Sequence, residues 1–323
     1  MNILVTGGAG FIGSFMAKAL LDKGYHVIVF DSLERGRRDA VDARAIFTQG
    51  DIKDMVALDT LFGQNQIDAV MHFAGYISVE ESTKNPEVYF QNNIVGSQNL
   101  FNAAIAHGVK KLIFSSSAAV YGNPTVIPIP EDHPKNPTSP YGQNKLDAEK
   151  ILSDLCMQHA DLGFASLRYF NAAGASLDGV LGENHKPETH IIPLAISALI
   201  EKKEFNLYGT DYDTKDGTCI RDYIHVLDLV DAHVLALEKL SVDVGEHYYN
   251  VGTGNGYSNR EVINAVEEAS GQKINIVERE KRAGDADKLI ADPTKIKTEL
   301  GFIPQYSDLK TIVKTAWHYY SKK

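Results

Sequence analysis

Two cysteines, Cys156 and Cys219, are all that the 323 residues contain, too few for a disulfide framework. No cysteine pair and no cluster of cysteine with histidine has zinc-ligand spacing, and the eleven histidines are scattered, so no metal is expected. No run of about 18 apolar residues occurs, so no membrane-spanning helix is expected either. The start, Met1-Asn2-Ile3-Leu4-Val5-Thr6-Gly7, has no basic leader and runs straight into structure; the expectation is a soluble, cytoplasmic protein. Positive charge is in short supply too. With 32 Lys and Arg against 42 Asp and Glu, the formal net charge of -10 argues against nucleic acid or an anionic membrane as the main partner. It leaves room for a local basic pocket around phosphate. There is no internal repeat and no low-complexity tract.

What is present is ordinary globular material, 44% hydrophobic, in enough length for a large domain and a small one. Ile3-Leu4-Val5 suits a strand buried on both faces, and it leads at once into Gly7-x-x-Gly10-x-x-Gly13 and a helical pattern through Leu21. Glycines there let the backbone turn tightly and approach a pyrophosphate seated on amides at a helix N-terminus. A plain strand-to-helix turn would look similar, so the context decides. The next strand, 27–30, ends at Asp31, 18 residues after Gly13. A carboxylate there can accept from both ribose hydroxyls of an adenosine and would repel a 2′-phosphate. The order points to a bound dinucleotide, with NAD favoured over NADP; Arg35, Arg37 and Arg38 close behind pull the other way.

The alternation continues. A strand at 45–47 leads to Gly50-Asp51-Ile52, a helix covers 54–62, and a strand at 69–73 leads through Phe73 to Ala74-Gly75. A longer helix, 86–107, precedes a strand at 111–114 that ends in Ser115-Ser116-Ser117. Strands alternating with helices predict right-handed crossovers and a doubly wound parallel sheet, an α/β Rossmann fold. Ligands of such sheets bind at the carboxyl ends of the strands, where Asp31, Asp51, Gly75 and Ser117 all fall. Serines in that place can also do no more than satisfy loop backbone groups.

The proline-rich stretch 122–140 delivers the chain to Pro140-Tyr141-Gly142-Gln143-Asn144-Lys145 and a helix to about 158. Pro140 suits the first turn, which puts Tyr141 and Lys145 on one face. A free tyrosine titrates near pH ~10, and lowering that by about three units takes roughly 4 kcal/mol of differential interaction. One close, partly desolvated ammonium can supply much of it. The bland alternative is a snorkelling lysine beside a half-buried tyrosine on an ordinary helix surface. After residue 170 the alternation fades into helices at 193–202, 226–240, 258–269, 293–300 and 307–320, around a loop at 209–217, with Trp317 on an apolar face. The chain is therefore divided into 1–170 and a smaller region, 171–323, with room for later strands to return to the first sheet.

The glycine loop, Ser117 after its strand and Tyr141-x-x-x-Lys145 stand in the order of the extended short-chain dehydrogenase/reductase superfamily. With Phe114-Ser-Ser-Ser-Ala-Ala-Val-Tyr-Gly122, Leu167-Arg-Tyr-Phe-Asn171 and Arg221-Asp-Tyr-Ile-His-Val226, the chain resembles the UDP-glucose 4-epimerases of that superfamily along essentially its whole length. The resemblance implies reversible hydride transfer at sugar C4, through a 4-keto intermediate, between UDP-glucose and UDP-galactose. It implies NAD held permanently by Gly7, Gly10, Phe11, Ile12 and Gly13, by Asp31, Asp51 and Ile52 around the adenosine, and by Phe73, Ala74, Gly75 and Asn92. Ser117, Tyr141 and Lys145 form the implied catalytic set, with Tyr141 and Lys145 also touching the cofactor. Lys145 would lower the tyrosine pKa and bond the nicotinamide ribose. The implied substrate contacts are Ser117 and Tyr141 with Asn171, His190, Tyr208, Arg221, Arg282, Asp285 and Leu289, mostly in 171–323. Arg221 and Arg282 suit a diphosphate because a guanidinium offers paired donors, although a surface arginine is by default only solvated. A homodimer joined by helices 86–107 and 141–158 is implied as well.

Two rivals are weaker. A nucleotide-sugar 4,6-dehydratase needs further acid and base groups, and Ala118 and Ala119 stand where dehydratases carry an Asp-Glu pair. A dinucleotide-sensing protein would have no need of Ser117, Tyr141 and Lys145 together. Three departures from the pattern stand out: Tyr76-Ile77 where a lysine often follows the strand, His190 where some relatives have asparagine, and Leu289 where a residue gates bulky C2 substituents. Leu289 is smaller than Tyr but larger than Ser or Cys, which leaves N-acetylated sugars undecided; the expectation is a preference for UDP-glucose and UDP-galactose, with UDP-pentoses also open.

Overall fold

The computed structural model describes residues 1–281 and 285–322. In chain order its strands are β1 (Asn2–Thr6), β2 (His26–Asp31), β3 (Ile46–Gln49), β4 (Ala69–His72), β5 (Lys111–Ser117), β6 (Gly163–Tyr169), β7 (Asn171–Ala173), β8 (Phe205–Tyr208), β9 (Ile220–His225), β10 (Glu246–Val251), β11 (Gly256–Ser258), β12 (Ile276–Arg279) and β13 (Lys288–Leu289). The helices are α1 (Phe11–Asp22), α2 (Met55–Gln64), α3 (Val79–Lys84), α4 (Pro86–Phe90), α5 (Gly96–Ala106), α6 (Pro140–Gln158), α7 (Ile191–Ile200), α8 (Val226–Lys239), α9 (Asn259–Ser270), α10 (Thr294–Leu300) and α11 (Leu309–Tyr320).

Two compact units share the chain: 1–122, 135–168 and 230–249 form the first, and 123–134, 169–229 and 250–323 the second. The sequence drew one boundary near 170; the structure also crosses that line at 123–134 and at 230–249. The reason is non-local pairing. β10 lies beside β6 at the end of a seven-stranded sheet ordered β10-β6-β5-β4-β1-β2-β3.

In the first unit β1 pairs in parallel with β2 and β4, β2 with β3, and β4 with β5, so the chain winds outward from β1 in both directions. Every residue of β4 is buried, the pattern of a strand covered on both faces. One core cluster joins Leu4, Ile28, Val70 and Phe114 of the sheet to Leu61, Leu100 and Leu152 of the helices. Each fully buried aliphatic of this kind contributes about 1.5–3 kcal/mol.

The single helix expected at 86–107 is in fact α4, a π turn over Gln91–Val95 and α5, with α3 in front of them. The wider turn is fixed from the side: Asn93 accepts the Tyr76 N–H at 2.8 Å and donates to the Tyr76 carbonyl at 3.0 Å. Such π turns recur at functional sites, and Asn92 lies on this one.

The second unit has its own core. Ile192, Ile196 and Leu199 of α7 pack with Val262 and Val266 of α9 and Ile312 and Val313 of α11, and Trp317 is half-buried against this cluster. β9 carries antiparallel β11 on one side and parallel β13 and β7 as further partners, while β8 and β12 form a separate parallel pair. Among the described residues no helix is long and apolar enough to cross a membrane.

Candidate active site

In the first unit the chain leaves β1 through Gly7, whose φ of +70° is costly for any residue with a Cβ. Space forbids one as well: a Cβ on Gly7 would lie 2.5 Å from the Ala74 nitrogen, and one on Gly13 would lie 2.2 Å from the Gly7 carbonyl oxygen. Gly10 caps α1 without any side chain, and Phe11, Ile12 and Gly13 form the first turn. A strand-to-helix turn built on Gly7, Gly10 and Gly13 fits a diphosphate, which can lie directly on the backbone amides.

Asp31 ends β2, buried, and accepts the Ala9 N–H at 3.0 Å and the Leu33 N–H at 2.8 Å, one on each oxygen. Burial raises its pKa while the two backbone bonds oppose the rise. Each oxygen keeps lone-pair capacity for a ribose hydroxyl. The arginines that follow are committed elsewhere. Arg35 makes a forked pair with Glu81 at 2.8 and 2.7 Å, Arg37 pairs with Asp39, and Arg38 stacks 4.4 Å over Phe47.

Asp51 is partly exposed just after β3 and accepts the Lys53 N–H at 2.8 Å, while Ile52 is buried. After β4, the Phe73 N–H donates to the Thr6 carbonyl at 3.0 Å, and Ala74 and Gly75 follow. Asn92 is buried and donates to Asn93 at 3.0 Å. Tyr76, one of the noted departures, is also buried; its hydroxyl donates to Glu34 at 2.8 Å and Arg35 stacks on its ring.

Ser117 closes β5 and caps the 3₁₀ turn Ala118–Tyr121, its Oγ accepting the Ala119 N–H at 3.2 Å. That bond occupies an acceptor site and leaves the hydroxyl proton for Tyr141, whose pKa the neighbouring Ser117 pulls down. Tyr141 is the second residue of α6, whose start is set by Ser139, accepting the Gly142 N–H at 3.1 Å, and by Pro140. Lys145 is buried one turn later; its Nζ donates to the Ser115 carbonyl at 2.6 Å and lies 5.9 Å from the Tyr141 ring centroid.

The electrostatics differ from the sequence expectation. Burial raises the Tyr141 pKa, with the neighbouring Ser117 opposing the rise. Burial also pushes Lys145 down to about 8, with Glu149 opposing. The pattern Tyr141-x-x-x-Lys145 reveals proximity but not desolvation, and desolvation dominates here.

A supporting residue was missed. Glu149 continues the stripe of Tyr141 and Lys145, four residues further on. Its Oε1 accepts from Ser116 at 2.7 Å, Ser166 at 2.8 Å and Arg168 Nε at 2.9 Å, and Oε2 accepts from Arg168 at 2.6 Å. Arg168 also donates to the Tyr121 hydroxyl at 3.0 Å. This buried knot ties α6 to β5 and β6. The signal was the repeat at four-residue spacing of a charged residue on a buried face.

In the second unit, a cleft of about 310 Å³ is lined by Tyr208, Phe205, Leu207, Leu194, Asn206 and Asp285, among others. Apolar walls with polar edges suit a planar base. Arg221 donates to the Ile220 and Ala286 carbonyls at 2.9 and 2.8 Å and stands 3.9 Å from Asp285. Leu289 faces Arg221 in the β13–β9 register and is half-buried. Asn171, on β7, donates to the Asp222 carbonyl at 2.9 Å. His190 immediately precedes α7, and its Nδ1 contacts the Glu183 carboxylate, a contact that leaves Nε2 out. Arg282 lies outside the described residues. The structure thus brings Arg221 and Asp285 together, sets Tyr208 and Asp285 on one cleft, and ties His190 Nδ1 to Glu183.

The profile of the NAD dependent epimerase/dehydratase family matches residues 3–252. A UDP-glucose 4-epimerase of Lacticaseibacillus casei is 46% identical over 321 residues, covering 99% of this chain and 97% of that one. A crystal structure of UDP-glucose 4-epimerase from Brucella ovis in complex with NAD superposes with a TM-score of 0.95 at 46% identity, covering 98% of each chain. The enzyme of Bifidobacterium longum, solved with NAD+ and UDP, gives a TM-score of 0.95 at 39% identity over 100% of this chain and 98% of that one.

Proposed function

Because this chain belongs to the NAD dependent epimerase/dehydratase family, we propose that it works as a UDP-glucose 4-epimerase, converting UDP-glucose and UDP-galactose into one another through a 4-keto sugar. The observation that carries the reading is the placement of Ser117 beside Tyr141, where it lowers the tyrosine pKa, with Lys145 one helical turn away, all three buried or half-buried in the unit that holds the glycine loop. NAD, when bound, supplies the acceptor and donor of hydride at C4, so the cycle is redox-neutral and needs no second substrate.

The chain's own residues handle the proton. Tyr141, as phenolate, takes the proton of the sugar 4-hydroxyl and returns it when the keto group is reduced on its other face. Ser117 donates its hydroxyl to the phenolate, its acceptor side being held by Ala119. Burial works against the anion, so positive charge must offset it: that of Lys145 and that of the bound cofactor. Gly7, Gly10, Phe11, Ile12 and Gly13 seat the diphosphate of NAD, and Asp31 binds its adenosine ribose. Asp51 and Ile52, Phe73 to Gly75, and Asn92 complete the cofactor's surroundings.

Asn171, Tyr208, Arg221 and Asp285 hold the uridine diphosphate, with Arg282 assigned to the same task. Firm contacts to the nucleotide and loose ones to the sugar let the keto sugar turn over while bound. The preferred sugars are UDP-glucose and UDP-galactose. The family likeness further supports a pair of identical chains acting in the cytoplasm in galactose metabolism. A proton NMR time course with UDP-galactose and no added cofactor tests the reading: UDP-glucose should accumulate until the two sugars reach equilibrium. No conversion, even with NAD supplied, would overturn it.

A further inference from the structure

Glu183, His185, Glu188 and His190 converge on one point of the second unit, and none of the roles above uses that convergence. Each offers one nitrogen or oxygen donor, and the four atoms all lie within 4.8 Å of one another. We propose that they bind a zinc-like divalent transition cation, which staples the loop leading into α7.

The spacing fits. His185 Nδ1 is 3.0 Å from Glu183 Oε1 and 3.9 Å from Glu188 Oε1, His190 Nδ1 is 3.6 Å from Glu188 Oε1, and His190 also contacts Glu183. Donors at about 2.0–2.2 Å from a tetrahedral zinc stand about 3.3–3.6 Å from each other, a separation the first three distances bracket, while the His190–Glu183 pair is closer and would have to open. The two imidazole rings are 5.6 Å apart and inclined at 61°, so their nitrogens approach the point from different directions.

The donor set selects the class of ion. Two imidazoles are poor ligands for calcium or magnesium, and the absence of thiolate from the set disfavours copper(I). Two neutral imidazoles and two carboxylates carry two negative charges, which a divalent cation balances. A separate observation concerns one of the four residues. Glu188 Oε1 already accepts the N–H groups of Thr189 at 2.7 Å and His190 at 2.9 Å, while Oε2 is shut off from water without a hydrogen-bond partner. A buried carboxylate oxygen left in that state is destabilising, and a cation removes the penalty.

The site's consequence is mechanical. The Tyr320 hydroxyl donates to the Glu183 carbonyl at 2.6 Å, which anchors the first ligand to α11, and the last ligand directly precedes α7. A cation held by all four closes the loop 183–190 on itself. The pattern Glu-x-His-x-x-Glu-x-His contains no cysteine, the residue by which zinc-ligand spacing is most readily recognised in a sequence.

The test uses the purified holoenzyme, dialysed against Zn2+ and then against metal-free buffer. Elemental analysis should find about one zinc per chain, and the zinc-loaded protein should melt higher than protein treated with a chelator. His185→Asn and Glu188→Gln should each weaken Zn2+ binding, read by calorimetry, more than about tenfold while leaving epimerisation intact. Two variants guard against a folding failure in one, and the zinc content of the natural chain stands on its own. Absence of zinc after dialysis would overturn the site, as would variants that bind Zn2+ as tightly as the natural chain.

Discussion

Replacing Lys145 by methionine should make the nucleotide-free chain more stable at neutral pH while crippling it as an enzyme. Burial lowers the lysine from 10.5 to about 8, and at about 1.4 kcal/mol per pH unit the ammonium therefore costs the fold about 3 kcal/mol below pH 8. Methionine fills similar space without the charge but gives up the hydrogen bond to the Ser115 carbonyl, worth about 1 kcal/mol. The net gain at pH 7 is about 2 kcal/mol. Its pH dependence is the sharper signature. Between about pH 8 and 10.5 the folded chain holds fewer protons on Lys145 than the unfolded chain does, so the stability of the natural protein rises with pH across that window. The advantage of methionine should shrink by about 2 kcal/mol between pH 7 and 9.5. Urea titrations of both proteins, freed of dinucleotide, at a series of pH values measure this directly. A difference in stability that does not change with pH would refute the claim that Lys145 is held as a desolvated ammonium.

Further outcomes follow from the same geometry. Tyr141→Phe should lower kcat by at least about 10²-fold, the scale of a lost acid–base group, with UDP affinity unchanged in a calorimetric titration; full activity would remove Tyr141 from the chemistry. Gly13→Ala places a Cβ 2.2 Å from the Gly7 carbonyl, so the purified variant should release little or no NAD on denaturation, and a full complement would contradict the cradle. Glu149→Gln leaves Arg168 buried without its counter-charge, which should cost about 3–5 kcal/mol in a denaturant titration. A loss below about 1 kcal/mol would mean that the knot behind α6 contributes little.

What could be read from the chain is what short-range rules govern. β1, the glycine turn, α1 and β2 follow from an apolar run, three glycines and an acid at fixed spacing, and α6 begins at Pro140 because proline suits the first turn. The neighbourhood of Ser117, Tyr141 and Lys145 was legible because a strand end and a helix start carry them. Features that depend on distant partners were not. The strand β10 joins β6 across a gap of some eighty residues, and the segment 123–134 belongs to the second unit, which no local pattern announces. The π turn at Gln91–Val95 interrupts a helix whose apolar spacing reads as continuous. The direction of the Tyr141 shift needs burial, which spacing does not reveal. The commitment of Arg35 to Glu81 and of His190 to Glu183 likewise depends on where the backbone carries each partner.

The most direct measurement follows a deuterium label at C4 of UDP-galactose through conversion in ordinary water. Transfer of hydride from C4 to the cofactor and back keeps the label out of contact with solvent, so UDP-glucose should carry essentially all of the deuterium at C4. Loss of deuterium to water in step with turnover would mean that the bond to C4 is broken by proton removal, and the roles assigned to Tyr141 and NAD would fall together.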